Sequence, residues 1–251
     1  MVGLIVLHKL MIQKIIVWLS LVFNSICWSH PDIDKRIEII SEKIIYQPNN
    51  GELLLSRAEL HLQHGNWNAA ILDVEQAKTH NADIAKIYFY FAQIYRQKND
   101  LKKSIQYYHK SITEFDKSDK SNSLRALSHI ALAEIYQYKK QWEMAAQEFE
   151  KAIKHSSNAS PVIYHLCAIA YLFANHSKHA KQILLQGVKL YPKNIAINRI
   201  LIEIEVNERN FQNAQSITIN LLKHYPKLGS KLKFSLSELQ DLQNQYMKNN
   251  E

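Results

Sequence analysis

Glycine and proline are both scarce in this sequence, with five of each among 251 residues. β-Sandwiches and β-barrels need frequent turn residues, so this shortage argues against them. Leu, Ile, Ala, Gln, Lys and Glu dominate the composition and favour helices. No low-complexity tract occurs, which argues against a long disordered region. The composition therefore predicts an all-α protein.

Cysteine is also rare, and the chain contains only Cys27 and Cys167. The first lies in a segment that we expect to be removed, and a single remaining cysteine excludes an internal disulfide. Cys167 lies in an apolar helical run, so we expect buried packing rather than reactivity.

Motifs of known catalytic chemistry are lacking. The sequence has no Gly-rich phosphate loop, no GxSxG elbow and no serine–lysine signature. Its twelve histidines include the pairs His61/His64 and His176/His179, but no HExxH, cysteine pair or Asp-rich loop accompanies them. We therefore expect no enzyme activity, no cofactor and no metal, and we interpret these histidines as exposed structural residues.

Positive charge is present but not concentrated. The net charge is +8, and acidic residues are spread among the Lys and Arg residues throughout the body of the chain. A nucleic-acid-binding surface would need basic residues clustered on one face. We therefore expect no nucleic-acid partner.

Residues 1–29 differ from the rest of the chain. Lys9 and Lys14 precede a short apolar run, and the small residues Cys27 and Ser29 stand where a signal peptidase would require them. This order is typical of a secretory signal peptide. We therefore expect an exported protein, either periplasmic or secreted.

Two points about this segment stay open. The apolar run is short for a transmembrane span, but residues 11–28 could remain as an uncleaved membrane anchor. The functional start could be Met1 or Met11, since both leave a basic stretch before the apolar run.

Small residues recur in three columns along the body of the chain. Successive rows are 34, 41, 35 and 34 residues apart, and thirteen of the fifteen positions hold Ala, Ser or Gly. The columns are Ala58, Ala92, Ala133, Ala168 and Ile202; Ala70, Ser104, Ala145, Ala180 and Ala214; and Ala77, Ser111, Ala152, Gly187 and Leu221. Small side chains let two helices approach closely, whereas large ones would separate their axes or leave voids. The columns therefore predict pairs of antiparallel helices.

These columns, with Tyr95, Tyr136 and Tyr171 three residues after the first of them, resemble the tetratricopeptide repeat family. The resemblance implies an all-α, right-handed α-solenoid of about five helix pairs. The repeats are predicted at 51–84, 85–118, 126–159, 161–194 and 195–228.

Additional helices are predicted to cap both ends, at 30–50 and at 229–251, because stacked repeats need covered ends. Ser235 and Glu238 have the spacing of a capping box at the start of the last helix. Seven extra residues separate the second and third repeats. We expect them to form an exposed polar loop or to lengthen the flanking helices.

In this family the first helix of each repeat lines a concave groove, and fixed positions on it contact the partner. Carried over position by position, the resemblance implies a set of partner-binding residues. They are Phe89, Gln93, Arg96, Gln97, Ile130, Glu134, Gln137, Tyr138, His165, Phe173 and Arg199. The aromatic and Arg members belong to types that anchor interfaces, but packing between repeats is an equally open interpretation.

The resemblance implies a protein partner, bound through an extended peptide or an amphipathic helix. Leu55/Glu59 and Phe89/Gln93 replace the Lys/Asn carboxylate clamp of the chaperone-binding members, which argues against that mode.

We therefore predict an exported interaction module or assembly scaffold. Two alternatives stay open: an accessory subunit of an envelope enzyme or metal-handling system, and a self-associating structural protein that uses Leu55, Leu172 or the last helix. The oligomeric state is not predicted, and a membrane is expected to matter only through an uncleaved N-terminal segment.

Overall fold

The computed structural model describes residues 31–117 and 123–249. The predicted signal peptide or anchor lies outside these described residues. The chain divides into two compact units, the first ending at Tyr107 and the second beginning at Tyr108.

The described residues contain twelve α-helices and no strand, which confirms the predicted all-α class. The first unit contains α1 (Pro31–Tyr46), α2 (Gly51–Gln63), α3 (Trp67–Thr79) and α4 (Ile84–Gln97), and the division falls within α5 (Leu101–Lys117). The second contains α6 (Ser123–Tyr138), α7 (Trp142–His155), α8 (Pro161–Phe173), α9 (Ser177–Leu190), α10 (Ile195–Asn207), α11 (Phe211–His224), a 3-10 helix (Pro226–Lys231) and α12 (Leu236–Lys248). Within the described ranges, every helix is too short or too polar to cross a membrane.

All fifteen positions of the three columns are buried. In the first unit the Ser104 hydroxyl donates to the Ala92 carbonyl oxygen at 2.9 Å, which joins α5 to α4. In the second unit a Cβ atom added at Gly187 would lie 3.1 Å from Tyr164 Cβ in α8 and 3.1 Å from Ile197 Cδ1 in α10. Neighbouring side chains would have to shift to admit even a methyl group at Gly187, so the helices pack tightly at this column position.

The turn between the two helices of each pair has the same backbone conformation in all five pairs. One residue in each turn has a positive φ of 59–79°. These residues are Gly65, Asn99, Lys140, Asn175 and Arg209. In each turn the next residue's N–H donates to the carbonyl oxygen five residues earlier, at 2.8–2.9 Å. This is the Schellman arrangement, which uses carbonyl groups that the end of a helix would leave unpaired.

Helices α1 and α12 lie beside the outermost pairs of their own units. The Arg57 guanidinium of α2 donates to the Ser41 hydroxyl of α1 at 3.1 Å. The predicted capping box is confirmed, since the Ser235 hydroxyl accepts from the Glu238 N–H at 3.2 Å and the Glu238 carboxylate accepts from the Ser235 N–H. Leu239 of α12 is fully buried in a cluster with Ile202, Ala214 and Leu221.

The two helices that flank residues 118–122 are longer than the other paired helices, and residues 118–122 themselves lie outside the described part of the chain. Helix α5 has 17 residues and α6 has 16, whereas the other paired helices have 13 or 14. In the second unit an ion pair of 2.9 Å joins Arg125 of α6 to Asp116 near the end of α5.

Enlarging a column residue should destabilise the fold. We expect Ala168→Leu, at a fully buried position in α8, to lower the free energy of unfolding by about 1–3 kcal/mol because the added atoms force neighbouring helices apart. Urea denaturation followed by circular dichroism measures the change. The matched control is Ala196→Leu at an exposed position in α10, and an equal loss in both variants would contradict the assignment of the columns.

Candidate partner-binding surfaces

The first helices of the first two pairs, α2 and α4, lie side by side in the first unit. The Lys86 ammonium of α4 contacts the Glu52 carboxylate of α2 at 2.7 Å. Further along, the Tyr90 hydroxyl donates to the Glu59 carboxylate at 3.1 Å. Burial and the neighbouring carboxylate of Glu59 both raise the pKa of Tyr90, so the phenol stays protonated as the donor. Carboxylates on this face therefore already have partners within the unit.

Three of the four partner-binding candidates in the first unit remain accessible. Gln97 is exposed, and Gln93 and Arg96 are partly exposed. Phe89 is only 3% exposed, which agrees with the alternative that its ring packs between repeats, and contact with a partner stays a prediction. Helix α4 is apolar on most of its circumference, and such a helix is buried on more than one side.

The second unit presents Tyr138 and Arg199 as exposed side chains, and Tyr138 is 68% exposed. The remaining candidates there are partly exposed: Ile130, Glu134, Gln137, His165 and Phe173. The Phe173 ring of α8 stacks on Trp142 of α7 with ring centroids 4.5 Å apart. Phe173 therefore takes part in packing between helices as well as bordering the surface.

Two aliphatic residues belong with Tyr138 on the first helices of the second unit. Leu127 of α6 is 46% exposed and Val162 of α8 is 60% exposed. They occupy the second position of successive repeats, so the periodicity places them on equivalent faces. From the sequence, an apolar residue at this position could equally have been packed between repeats. Leu127, Tyr138 and Val162 are called the apolar first-helix surface below.

The candidate Arg199 lies beside a segment of the chain itself. Arg199, Ile202 and Glu203 of α10 line one side of a small cavity, and Leu232, Lys233 and Phe234 line the other. The Lys233 ammonium contacts the Glu203 carboxylate at 3.2 Å. The sequence offered no periodicity by which to predict that residues after the last pair would lie here.

His64 and His179 are exposed, as expected, whereas His61 is partly buried. The Nε2 atom of His61 lies 3.8 Å from the Asp73 carboxylate, which also accepts two hydrogen bonds from Arg57 at 2.6 and 2.9 Å. The Nδ1 atom of His61 is buried without a hydrogen-bond partner, and burial lowers the pKa of His61 despite the nearby Asp73. His64 instead lies 3.5 Å from Asp34.

Metal-ligating groups do not converge among the described residues, where no set of three or more His, Cys, Asp and Glu side chains could hold a metal ion. Cys167 is fully buried, as predicted, and burial raises the pKa of its thiol, so the neutral form is favoured. A buried neutral thiol is a poor nucleophile, so Cys167 takes part in helix packing.

Comparison with known proteins gives one family match and many structural ones. The model described as tetratricopeptide repeat matches residues 85–114. No curated protein sequence is similar enough to count as a match.

Solved structures with the same fold cover most of the chain. The C-terminal part of a TPR repeat-containing protein from Cytophaga hutchinsonii has a TM-score of 0.61 at 15% identity, over 85% of this chain and 80% of that one. The pilF protein of Pseudomonas aeruginosa has a TM-score of 0.52 at 16% identity, over 78% and 88% of the two chains. A chain of an APC/C hetero-tetramer has a TM-score of 0.51 at 15% identity, over 90% of this chain and 45% of that one. These similarities support the predicted solenoid of helix pairs.

Alanine substitution should distinguish buried candidates from exposed ones by its effect on the free energy of unfolding. We expect Phe89→Ala to lower the free energy of unfolding by about 3–5 kcal/mol, because it empties a buried site. Tyr138→Ala should change it by less than about 0.5 kcal/mol, because its side chain is mostly exposed. Chemical denaturation of both variants measures the difference, and a Phe89→Ala protein as stable as wild type would show that the ring is not part of the core.

Proposed function

Because the chain has the fold of tetratricopeptide-repeat proteins and residues 85–114 match that family's model, we propose that it is an exported interaction module that binds a segment of a partner protein on its first helices. Stacked helical repeats typically offer extended surfaces for protein binding. The observation that carries the proposal is the apolar first-helix surface of the second unit, formed by Leu127, Tyr138 and Val162. Exposed apolar side chains lower the free energy of a complex when a partner removes them from water.

The chemistry of this surface favours a partner segment with apolar side chains at regular spacing. Aliphatic groups on α6 and α8 supply non-directional contact, and the Tyr138 ring adds a large surface with a hydroxyl at its edge. Glu134 and Gln137 lie on the same helix as Tyr138 and are partly exposed, so polar contacts are available beside the apolar ones. An amphipathic helix or an extended peptide presents this combination.

Export is the second part of the proposal, and the order of charged, apolar and small residues in residues 1–29 supports it. We expect the mature protein to lack residues 1–29. Intact-mass measurement of the full-length gene product, purified from the producing cells, tests this. A mass that includes the apolar run would instead support an uncleaved anchor through residues 11–28.

The binding surface is tested by capture of a partner from an envelope fraction with the full chain as bait. We expect Leu127→Ala, Tyr138→Ala and Val162→Ala, combined in one variant, to lower recovery of the partner roughly tenfold or more, because three apolar contacts are lost. These side chains are 46–68% exposed, so the fold should persist.

The matched control removes exposed apolar side chains from second helices, through Leu72→Ala, Leu185→Ala and Ile219→Ala combined. These residues are 67%, 49% and 56% exposed. Partners that depend on the first helices are retained by this control and lost by the first-helix variant. Equal recovery with both variants would reject the proposed surface.

A further inference from the structure

The segment that joins the 3-10 helix to α12 crosses the first helix of the last pair. Leu232 has extended backbone dihedral angles, with φ −76° and ψ 146°. The Lys233 ammonium contacts the Glu203 carboxylate of α10 at 3.2 Å, and that carboxylate side chain is only 14% exposed. The segment therefore covers an acidic group on α10.

An aromatic side chain follows the lysine on the same surface. Phe234 packs against the cluster that contains Ile202, Leu221 and Leu239, and its ring lies 5.5 Å from the Lys233 ammonium. The covering segment thus makes one charged contact and one apolar contact through neighbouring residues.

The segment lies beside the candidate Arg199 and covers Glu203. Glu203 stands at the same repeat position as the candidates Gln93 and Glu134. Arg199 and Glu203 are the fifth and ninth residues of the last repeat, and Arg199 lines the cavity beneath the segment. A carboxylate also stands at the ninth position of the third repeat, as Glu134, so the same residue type recurs at this position within the second unit. The chain itself therefore supplies an extended, lysine-containing segment at a predicted binding position.

We propose that residues 232–234 are an intramolecular ligand of the last repeat, and that a partner segment of the same chemistry displaces them. That segment is an extended peptide with a lysine next to a large apolar side chain. The inference rests on the proposed function, since it assumes that first helices bind partner segments. Displacement requires weak anchoring, and the ion pair contributes little to stability because the Lys233 side chain is 34% exposed. The apolar contact is also incomplete, since Phe234 is only partly buried against the cluster.

A fluorescein-labelled peptide with the sequence of residues 229–236 tests the proposal by fluorescence anisotropy with the full chain. Lys233→Glu combined with Phe234→Ala should open the site and tighten binding of this peptide roughly tenfold or more relative to wild type. Adding Glu203→Lys to that variant should return the affinity for the peptide to that of wild type, because the peptide lysine then faces a like charge. Lys227→Glu, which changes an exposed lysine nearby, is the control and should bind as wild type does.

The proposal would be overturned if the double variant kept the circular dichroism spectrum and melting temperature of wild type but bound the peptide no more tightly. A second measurement needs no variant. Excess unlabelled peptide should accelerate hydrogen exchange of the wild-type amides in residues 232–235, because the segment leaves its site. Unchanged exchange at saturating peptide would also overturn the proposal.

The two proposals fail in distinguishable ways. If the peptide does not bind but the first-helix variant loses its partner, the intramolecular ligand is rejected and the proposed function stands. If the peptide binds the opened variant but the first-helix variant retains its partner, the apolar first-helix surface is rejected instead.

Discussion

Close approach between neighbouring helices is the constraint on which the structure depends. Three side-chain positions in each pair lie where the helices approach most closely, and they are buried in every pair. At Gly187 even one added carbon atom would approach side chains of two neighbouring helices to 3.1 Å. Fixed helix separations in turn determine which residues of the first helices remain at the surface. The accessible side chains are therefore a consequence of the packing, and no separate structural element presents them.

The sequence alone predicted the helix pairs and the capping box because both depend on residues close together in the chain. Small residues at a regular period can be recognised directly, and so can Ser235 three residues before Glu238. Exposure is harder to predict because it depends on contacts with distant residues. Phe89 and Tyr138 are both aromatic and occupy candidate positions, yet one is 3% exposed and the other 68%. The residue type alone does not distinguish them.

The extended segment illustrates a second limit. Leu232 to Phe234 have no periodic pattern, and they contact α10 and its neighbours through residues distant in the chain, such as Lys233 and Glu203, which are 30 positions apart. The partial burial of His61 was missed for a similar reason, since Asp73, which lies 3.8 Å from it, belongs to the next helix. Side chains whose environment is made by remote parts of the chain require the structure itself.

The turns within the pairs limit which substitutions and insertions the chain can tolerate. Each turn reverses the chain with one residue of positive φ and the same backbone hydrogen bond, whether that residue is Gly, Asn, Lys or Arg. The connection within a pair therefore tolerates many side chains but keeps its length, whereas the connection between the second and third pairs has gained seven residues. Insertions that fall between pairs leave each pair intact. Duplication of a whole pair would reproduce its turn and its three small-residue positions together. The helix pair is therefore the unit by which such an array can be extended.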